Sequence, residues 1–115
     1  MSAECLFCGI VAGTIGADVV AEGDDWIAFR DIHPQAPSHV LVVPRRHVAT
    51  LDDLGDGDDL IVGTLVAAAA RIARDEGLVD GGYRLVANCG AGAGQSVFHI
   101  HLHLLGGRGF SWPPG

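Results

Sequence analysis

Three histidines, His99, His101 and His103, alternate with apolar residues near the end of the sequence. In a β-strand, side chains alternate between the two faces and rise about 3.3 Å per residue, so these imidazoles would project from one face about 6 to 7 Å apart. With three of the chain's six histidines on one face, the pattern indicates metal binding, acid-base catalysis or nucleophilic catalysis. The opposite face would be filled by Phe98, Ile100, Leu102 and Leu104.

A glycine-rich segment, residues 88–96, comes directly before the histidines. Glycines allow the backbone to turn so that several N–H groups converge on an anion. The segment lacks the Gly-Lys-Ser/Thr ending of a P-loop and the spacing of a dinucleotide-binding fingerprint, and it joins two predicted strands. Its position beside the histidines favours a phosphate-binding loop over a merely flexible connection.

Cys5 and Cys8 form a C-x-x-C pair near the N-terminus. Such a pair can be a redox dithiol, half of a zinc site or a coincidence. A closed zinc site needs four sulfur or nitrogen ligands in a tetrahedron, and His47 and His99 can supply the third and fourth. The third cysteine, Cys89, makes the number odd, which argues against a disulfide framework. The residues alone leave the zinc and redox interpretations open.

The remaining pattern predicts an α+β domain in which a long helix covers a largely antiparallel sheet. Apolar residues recur with helical spacing from Asp56 to Glu76, aspartates in the first turn can cap the start, and Gly77 can end the helix. Shorter apolar runs predict strands, and one near the N-terminus predicts a turn or two of helix. The predicted strands are residues 18–22, 25–30, 39–43, 83–88 and 97–105, and the N-terminal turns lie within residues 5–13.

The bulk properties limit the classes of protein to consider. With 115 residues, 49% of them hydrophobic, residues 1–115 are expected to form a single domain with one core. A net charge of -7 disfavours a nucleic-acid-binding surface, because such surfaces cluster Lys and Arg. The sequence shows no signal peptide pattern and no apolar run approaching the roughly 18 residues that span a bilayer, so we expect a cytoplasmic protein without a membrane partner.

Residues 94–107 place the alternating histidines after Gly-Gln-Ser, and this arrangement resembles the signature of the histidine-triad family. The similarity extends to residues 29–32, 34–37 and 39–44, and the closing Trp112-Pro-Pro-Gly is similar to the branch of purine nucleoside phosphoramidases. The resemblance implies a five-stranded, largely antiparallel sheet with one long helix and a short N-terminal helix. It also implies a homodimer in which the sheet continues across two subunits. The position of Trp112 amid prolines near the end of the sequence predicts that this side chain packs against the partner.

The resemblance implies roles for the matching residues. His101 is expected to be the nucleophile, while His103 and His39 orient and polarise the substrate. Ser96 is expected to contact the phosphate or the leaving group, and Asp31 the ribose hydroxyls. The other residues expected to contact a purine nucleotide are Phe7, Ile10, Phe29, Ile32, Asn88, Gly94, Gln95 and Val97.

The resemblance also bears on the C-x-x-C pair. Some bacterial members of the family, and the related galactose phosphate uridylyltransferases, are similar in pairing C-x-x-C with these two histidine positions. A structural Zn²⁺ held by Cys5, Cys8, His47 and His99 is therefore implied, and no metal is expected to take part in the chemistry.

The implied activity is hydrolysis of AMP or GMP phosphoramidates at the α-phosphorus, with release of the nucleoside monophosphate. An unperturbed imidazole has a pKa of about 6.5, so a neutral ring is present near neutral pH to attack phosphorus. A covalent nucleotidyl-histidine would divide one difficult displacement into two easier ones. The alternatives are a dinucleoside polyphosphate hydrolase of the same family and a nucleotide- or zinc-binding scaffold without catalytic activity.

Overall fold

Five antiparallel strands form one sheet in the computed structural model, which describes residues 5–115. A short helix, α1 (Leu6–Ala12), precedes the sheet, and a long helix, α2 (Asp59–Asp75), lies between the third and fourth strands in the chain. The predicted α+β class and antiparallel sheet are confirmed. The strands are β1 (Val19–Glu22), β2 (Trp26–Arg30), β3 (Ser38–Pro44), β4 (Tyr83–Val86) and β5 (Leu102–Gly106), in the spatial order β1-β2-β3-β5-β4.

Strand β3 lies at the centre of the sheet, and all seven of its residues are buried. Its side chains alternate between two apolar clusters because the two helices cover opposite faces. Val40 and Val42 pack with α2, whereas Leu41 and Val43 pack with α1. Because side chains of a strand alternate between its faces, His39 lies on the same side as Leu41 and Val43, which is the α1 side. In β5, His103 is the register partner of Leu41, so it also lies on the α1 side.

Helix α2 presents a row of small and branched residues to the sheet. Ala69 and Ala73 have no exposed surface, and their short side chains let the helix axis approach the strands closely. At the helix end, Glu76 accepts hydrogen bonds from the Arg30 guanidinium in β2 and from the Ser38 hydroxyl in β3. The Arg30 guanidinium holds the pKa of the Glu76 carboxyl below its usual value. These contacts fix the C-terminal end of α2 over the middle of the sheet.

Helix α2 begins three residues later than the sequence pattern predicts. Asp58 occupies the N-cap position of α2 but makes no side-chain cap. Its carboxylate instead accepts hydrogen bonds from the Gly55 backbone N–H and from Arg46, so residues 56–58 form a turn outside the helix. Gly77, with φ of +71°, closes the other end as predicted. Within residues 5–115, neither helix is long and apolar enough to cross a membrane.

The predicted strand over residues 97–105 is wrong in its first part, because β5 begins only at Leu102. Val97 to His101 follow an irregular path, and the Ile100 N–H donates to the carbonyl of Val48 rather than to a neighbouring strand. Strand β4 is also shorter than predicted, since its last register pair joins Val86 to His103. Phe98, which was expected to fill the apolar face, is 45% exposed. Only the last histidine of the three therefore lies in regular strand.

Candidate functional site

A cavity of about 580 Å³ opens beside α1, on the face of the sheet that carries His39 and His103. It is within the usual size range of small-molecule sites. Most of the residues expected to contact a nucleotide line it together, although they come from four separate segments of the chain. Those residues are Phe7, Ile10, Phe29, Asp31, Ile32, Ser96, Val97, His101 and His103.

The cavity also has lining residues that sequence reasoning missed. Residues 15–18, which connect α1 to β1, form part of the wall, as does His33. Ile15 reaches the cavity by packing over Gly9, where a Cβ would lie only 2.4 Å from the Ile15 Cδ1 atom. The residues of this connection carry no motif. Gly9 in α1 is the one sequence feature that could have indicated that Ile15 packs there.

One end of the cavity is apolar and aromatic, and the other is polar. The rings of Phe7 and Phe29 meet edge to face with centroids 5.3 Å apart, and Phe7 also contacts His101 at 5.1 Å. Asp31 lies at the polar end, where its Oδ1 accepts the His33 backbone N–H at 2.8 Å. The arrangement suits a ligand with a flat apolar ring at one end and hydroxyl or phosphate groups at the other.

His101 has a defined tautomer. Its Nδ1 lies 2.7 Å from the carbonyl oxygen of His99, which can only accept a hydrogen bond, so Nδ1 carries the proton. Nε2 of the neutral ring is then left with a free lone pair. Burial lowers the pKa of His101, and the hydrogen bond to the His99 carbonyl opposes part of that effect. The ring is therefore a neutral base or nucleophile at Nε2 near neutral pH.

His103 lies against both His101 and His39. The ring centroids of His101 and His103 are 5.0 Å apart, closer than ideal strand spacing would place them. Nδ1 of His103 is 2.9 Å from Nε2 of His39, which is itself 3.4 Å from a carboxylate oxygen of Asp31. Burial, together with repulsion from the neighbouring imidazoles of His101 and His39, lowers the pKa of His103 to about 4. The imidazole cluster is therefore uncharged at neutral pH.

Gln95 shapes the glycine-rich loop from inside. The side chain is 3% exposed, and its Oε1 accepts the Gly90 N–H at 2.8 Å. Its amide nitrogen donates to the carbonyls of Ala49 and Val97. Gln95, Gly94 and Asn88 were all expected to contact the nucleotide, and the structure places none of them among the residues lining the cavity.

The four residues expected to bind metal come together at one place. Their ligand atoms, the Sγ atoms of Cys5 and Cys8 and ring nitrogens of His47 and His99, all lie within 4.8 Å of one another. Cys8 Sγ is 3.2 Å from His47 Nδ1, and Cys5 Sγ is 3.5 Å from His99 Nδ1. No disulfide joins the cysteines. The group could hold a metal ion, and two thiolates with two imidazoles form a donor set suited to zinc.

His99 presents the correct nitrogen to this cluster. Its Nε2 lies 2.8 Å from the Pro44 carbonyl and must donate a proton there, which leaves the Nδ1 lone pair facing the sulfur atoms. The side chain has no exposed surface, and burial lowers the pKa of His99, so the ring is neutral as a metal ligand must be. A second cavity of about 370 Å³, lined by Cys5 and His47, gives access to the cluster from solvent.

Comparisons with known proteins agree with this geometry. The family model described as the HIT domain matches residues 12–110. The chain is 45% identical over its full length to a HIT-like protein of Synechococcus elongatus, which it covers completely. It is 43% identical to the purine nucleoside phosphoramidase of Escherichia coli K12, over 94% of this chain and 91% of that protein.

Solved structures show the same similarity. The crystal structure of a HIT family hydrolase from Legionella pneumophila matches 97% of this chain and 100% of its own, with a TM-score of 0.95 and 52% sequence identity. A histidine triad protein from Clostridium difficile matches 96% of each chain, with a TM-score of 0.93 and 38% identity. The fold is therefore shared over nearly the whole chain.

We expect Gln95→Ala to destabilise the protein by about 2 kcal/mol, because the Gly90 N–H and the two carbonyls would lose a buried partner. Chemical denaturation measures the change, and amide exchange at Gly90 should become faster. The exposed neighbouring hydroxyl provides the control, since Ser96→Ala should change the stability by less than about 0.5 kcal/mol. Equal stability of Gln95→Ala and the unaltered protein would contradict a loop-shaping role for Gln95.

Proposed function

The chain belongs to the HIT domain family, and from this premise we propose that it hydrolyses purine nucleoside phosphoramidates at the α-phosphorus. The observation that carries the proposal is the free Nε2 lone pair of His101 at the polar end of a nucleoside-sized cavity. The HIT family hydrolase and the phosphoramidase found among the similar proteins support a nucleotide hydrolase. Cleavage of a phosphorus–nitrogen bond, rather than of another bond to the α-phosphorus, is the more specific part of the proposal.

The cavity supports a specific pose for the nucleotide. The purine would lie at the aromatic end, against Phe7, Phe29 and Ile10, where apolar contact and ring stacking favour a flat base. Ile32, which is 84% exposed at the rim, would cover the base from the solvent side. The Asp31 carboxylate would accept hydrogen bonds from the ribose hydroxyls, which brings the α-phosphate toward the histidines.

The reaction then proceeds in two displacements. His101 Nε2 attacks the α-phosphorus, the phosphorus–nitrogen bond breaks, and the nitrogen takes a proton from solvent and leaves as the amine. Water next attacks phosphorus and gives up a proton to solvent, the bond to Nε2 breaks, the nucleoside monophosphate is released, and the neutral imidazole is regenerated. Hydrogen bonds from Ser96 and His103 would stabilise the charge on the phosphoryl oxygens and the leaving group, which is the main electrostatic requirement of phosphoryl transfer. His39 would orient His103.

We also propose that Cys5, Cys8, His47 and His99 hold Zn²⁺ as a structural ion. It would supply folding energy by joining the start of α1 to the end of β3 and to the segment before β5. The nucleophile lies outside this cluster, so the proposed displacements involve protein groups only.

A homodimer is proposed as well. Strand β4 lies at one edge of the sheet and its outer side is unpaired within residues 5–115, so a second copy could extend the sheet there. Trp112 is 82% exposed, as expected for a side chain that packs against a partner.

The hydrolase proposal is tested by His101→Ala. We expect kcat on a nucleoside phosphoramidate to fall by at least about 1000-fold, equivalent to about 4 kcal/mol of barrier, because the attacking atom is removed. The dissociation constant for AMP should change much less, because the base and ribose contacts remain, and its measurement controls for misfolding. Turnover near that of the unaltered protein would refute the nucleophile assignment. Faster turnover of diadenosine tetraphosphate than of phosphoramidates would instead favour the dinucleoside polyphosphate alternative.

The zinc proposal is tested by elemental analysis of protein purified without added metal. We expect about one zinc per chain, with loss of the metal and a lower melting temperature in Cys5→Ser. Cys89→Ser is the matched control and should retain the metal, because Cys89 is exposed and outside the cluster. Less than about a tenth of an equivalent of any transition metal, with a melting temperature unaffected by chelators, would rule out the site.

A further inference from the structure

The backbone N–H of Gln35 donates a hydrogen bond to Nδ1 of His39, at a nitrogen-to-nitrogen distance of 3.0 Å. A ring nitrogen that accepts a hydrogen bond must offer a lone pair, so the proton of the neutral His39 ring lies on Nε2. The imidazole of His39 is 4% exposed, and no water competes easily for this contact. The Gln35 N–H and the Asp31 carboxylate, which lies 3.4 Å from Nε2, therefore favour the same tautomer of His39.

The tautomer of His39 in turn determines the tautomer of His103. With its proton on Nε2, His39 donates to Nδ1 of His103 at 2.9 Å. His103 must then carry its own proton on Nε2, which leaves that N–H to donate to a ligand in the cavity that His103 lines. The reverse direction would put a proton on Nδ1 of His39, directly opposite the Gln35 N–H.

We propose that Gln35 is a positioning residue whose backbone N–H fixes the tautomers of His39 and His103, so that His103 presents Nε2–H to a phosphoryl oxygen beside the His101 nucleophile. The role in catalysis rests on the hydrolase function proposed above. The tautomers themselves are a property of the free protein. A neutral His103 that donates at Nε2 stabilises developing charge and cannot act as a base at that nitrogen.

Gln35 is held on three sides, although its loop lies at the surface. Its side-chain amide donates to the carbonyl of His33 at 3.0 Å, and its carbonyl accepts a hydrogen bond from the Arg108 Nε at 2.9 Å. The Arg108 guanidinium in turn stacks 4.2 Å from the centroid of the Phe110 ring. The Arg108 contact to the Gln35 carbonyl keeps the backbone N–H aimed at His39 and connects it to the segment that follows β5.

The same hydrogen bond disfavours a metal ion at Asp31, His39 and His103. Their ligand atoms also lie within 4.8 Å of one another, which by itself would suit a divalent cation. A metal on Nε2 of His39 would force the proton onto Nδ1, against the Gln35 N–H, or would require an imidazolate. The cluster is therefore a chain of hydrogen bonds from Gln35 to the ligand.

Nitrogen-15 NMR of the histidine rings in the unaltered, substrate-free protein tests the tautomers directly. We expect the two-bond correlation pattern of the Nε2–H tautomer for both His39 and His103, and the pattern of the Nδ1–H tautomer for His101. A Nδ1–H tautomer at His39 or at His103 would overturn the proposal. This readout does not depend on turnover, so it stands apart from the outcome of His101→Ala.

Gln35→Pro removes the backbone donor, whereas Gln35→Ala keeps it and serves as the control for the side chain. We expect Gln35→Pro to show mixed tautomers at His39 and His103, with kcat and kcat/KM both reduced about 10- to 100-fold and the affinity for AMP changed less. Gln35→Ala should retain the tautomers of the unaltered protein. Unchanged tautomers and kcat in Gln35→Pro would contradict the proposal. If that variant does not fold, the nitrogen-15 NMR measurement on the unaltered protein still tests the proposal.

Discussion

The buried imidazole of His99 is the junction on which the arrangement of the site depends. Its Nε2–H donates to the carbonyl of Pro44 at the end of β3, and its Nδ1 faces the sulfur atoms of Cys5 and Cys8. The backbone carbonyl of His99 accepts the Nδ1–H of His101 at 2.7 Å. A single residue thus joins the start of α1, the centre of the sheet and the ring of His101. The side chain has no exposed surface, so nothing in solvent can replace these contacts if one is lost.

Backbone groups bond to three of the imidazoles in and beside the site. The carbonyl of Pro44 accepts the Nε2–H of His99, and the carbonyl of His99 accepts the Nδ1–H of His101. The N–H of Gln35 donates to Nδ1 of His39. A neutral imidazole can donate from either nitrogen, so its hydrogen-bond partners decide which nitrogen carries the proton. Burial keeps the rings neutral, and the backbone decides which nitrogen of each ring is a lone pair. The fold therefore gives similar side chains different ring nitrogens to offer: Nδ1 of His99 faces the sulfur atoms, Nε2 of His101 keeps its lone pair, and Nε2 of His39 carries the proton.

The sequence pattern predicts the fold class correctly, because the class follows from side-chain types and their spacing. The residues that the structure brings together around the cavity were implied by the family resemblance instead. The alternation of residues 99–103 places three histidines together, but it cannot show that β5 begins at Leu102, since the deviation arises from the Ile100 N–H bonding to Val48. A glutamine beside a glycine-rich segment looks like a ligand contact, although Gln95 is buried within its own loop. The part played by the Gln35 N–H has no sequence signal, because every residue except proline carries the same backbone donor.

Stereochemistry at phosphorus tests the covalent mechanism most directly. The substrate would be a nucleoside thiophosphoramidate of a single configuration at phosphorus, hydrolysed in ¹⁸O-labelled water, with the configuration of the labelled nucleoside thiophosphate read by phosphorus NMR. Attack by His101 followed by attack of water gives two inversions, so the product should retain the original configuration. An inverted product would show that water attacks phosphorus directly, and His101 would then not be a nucleophile.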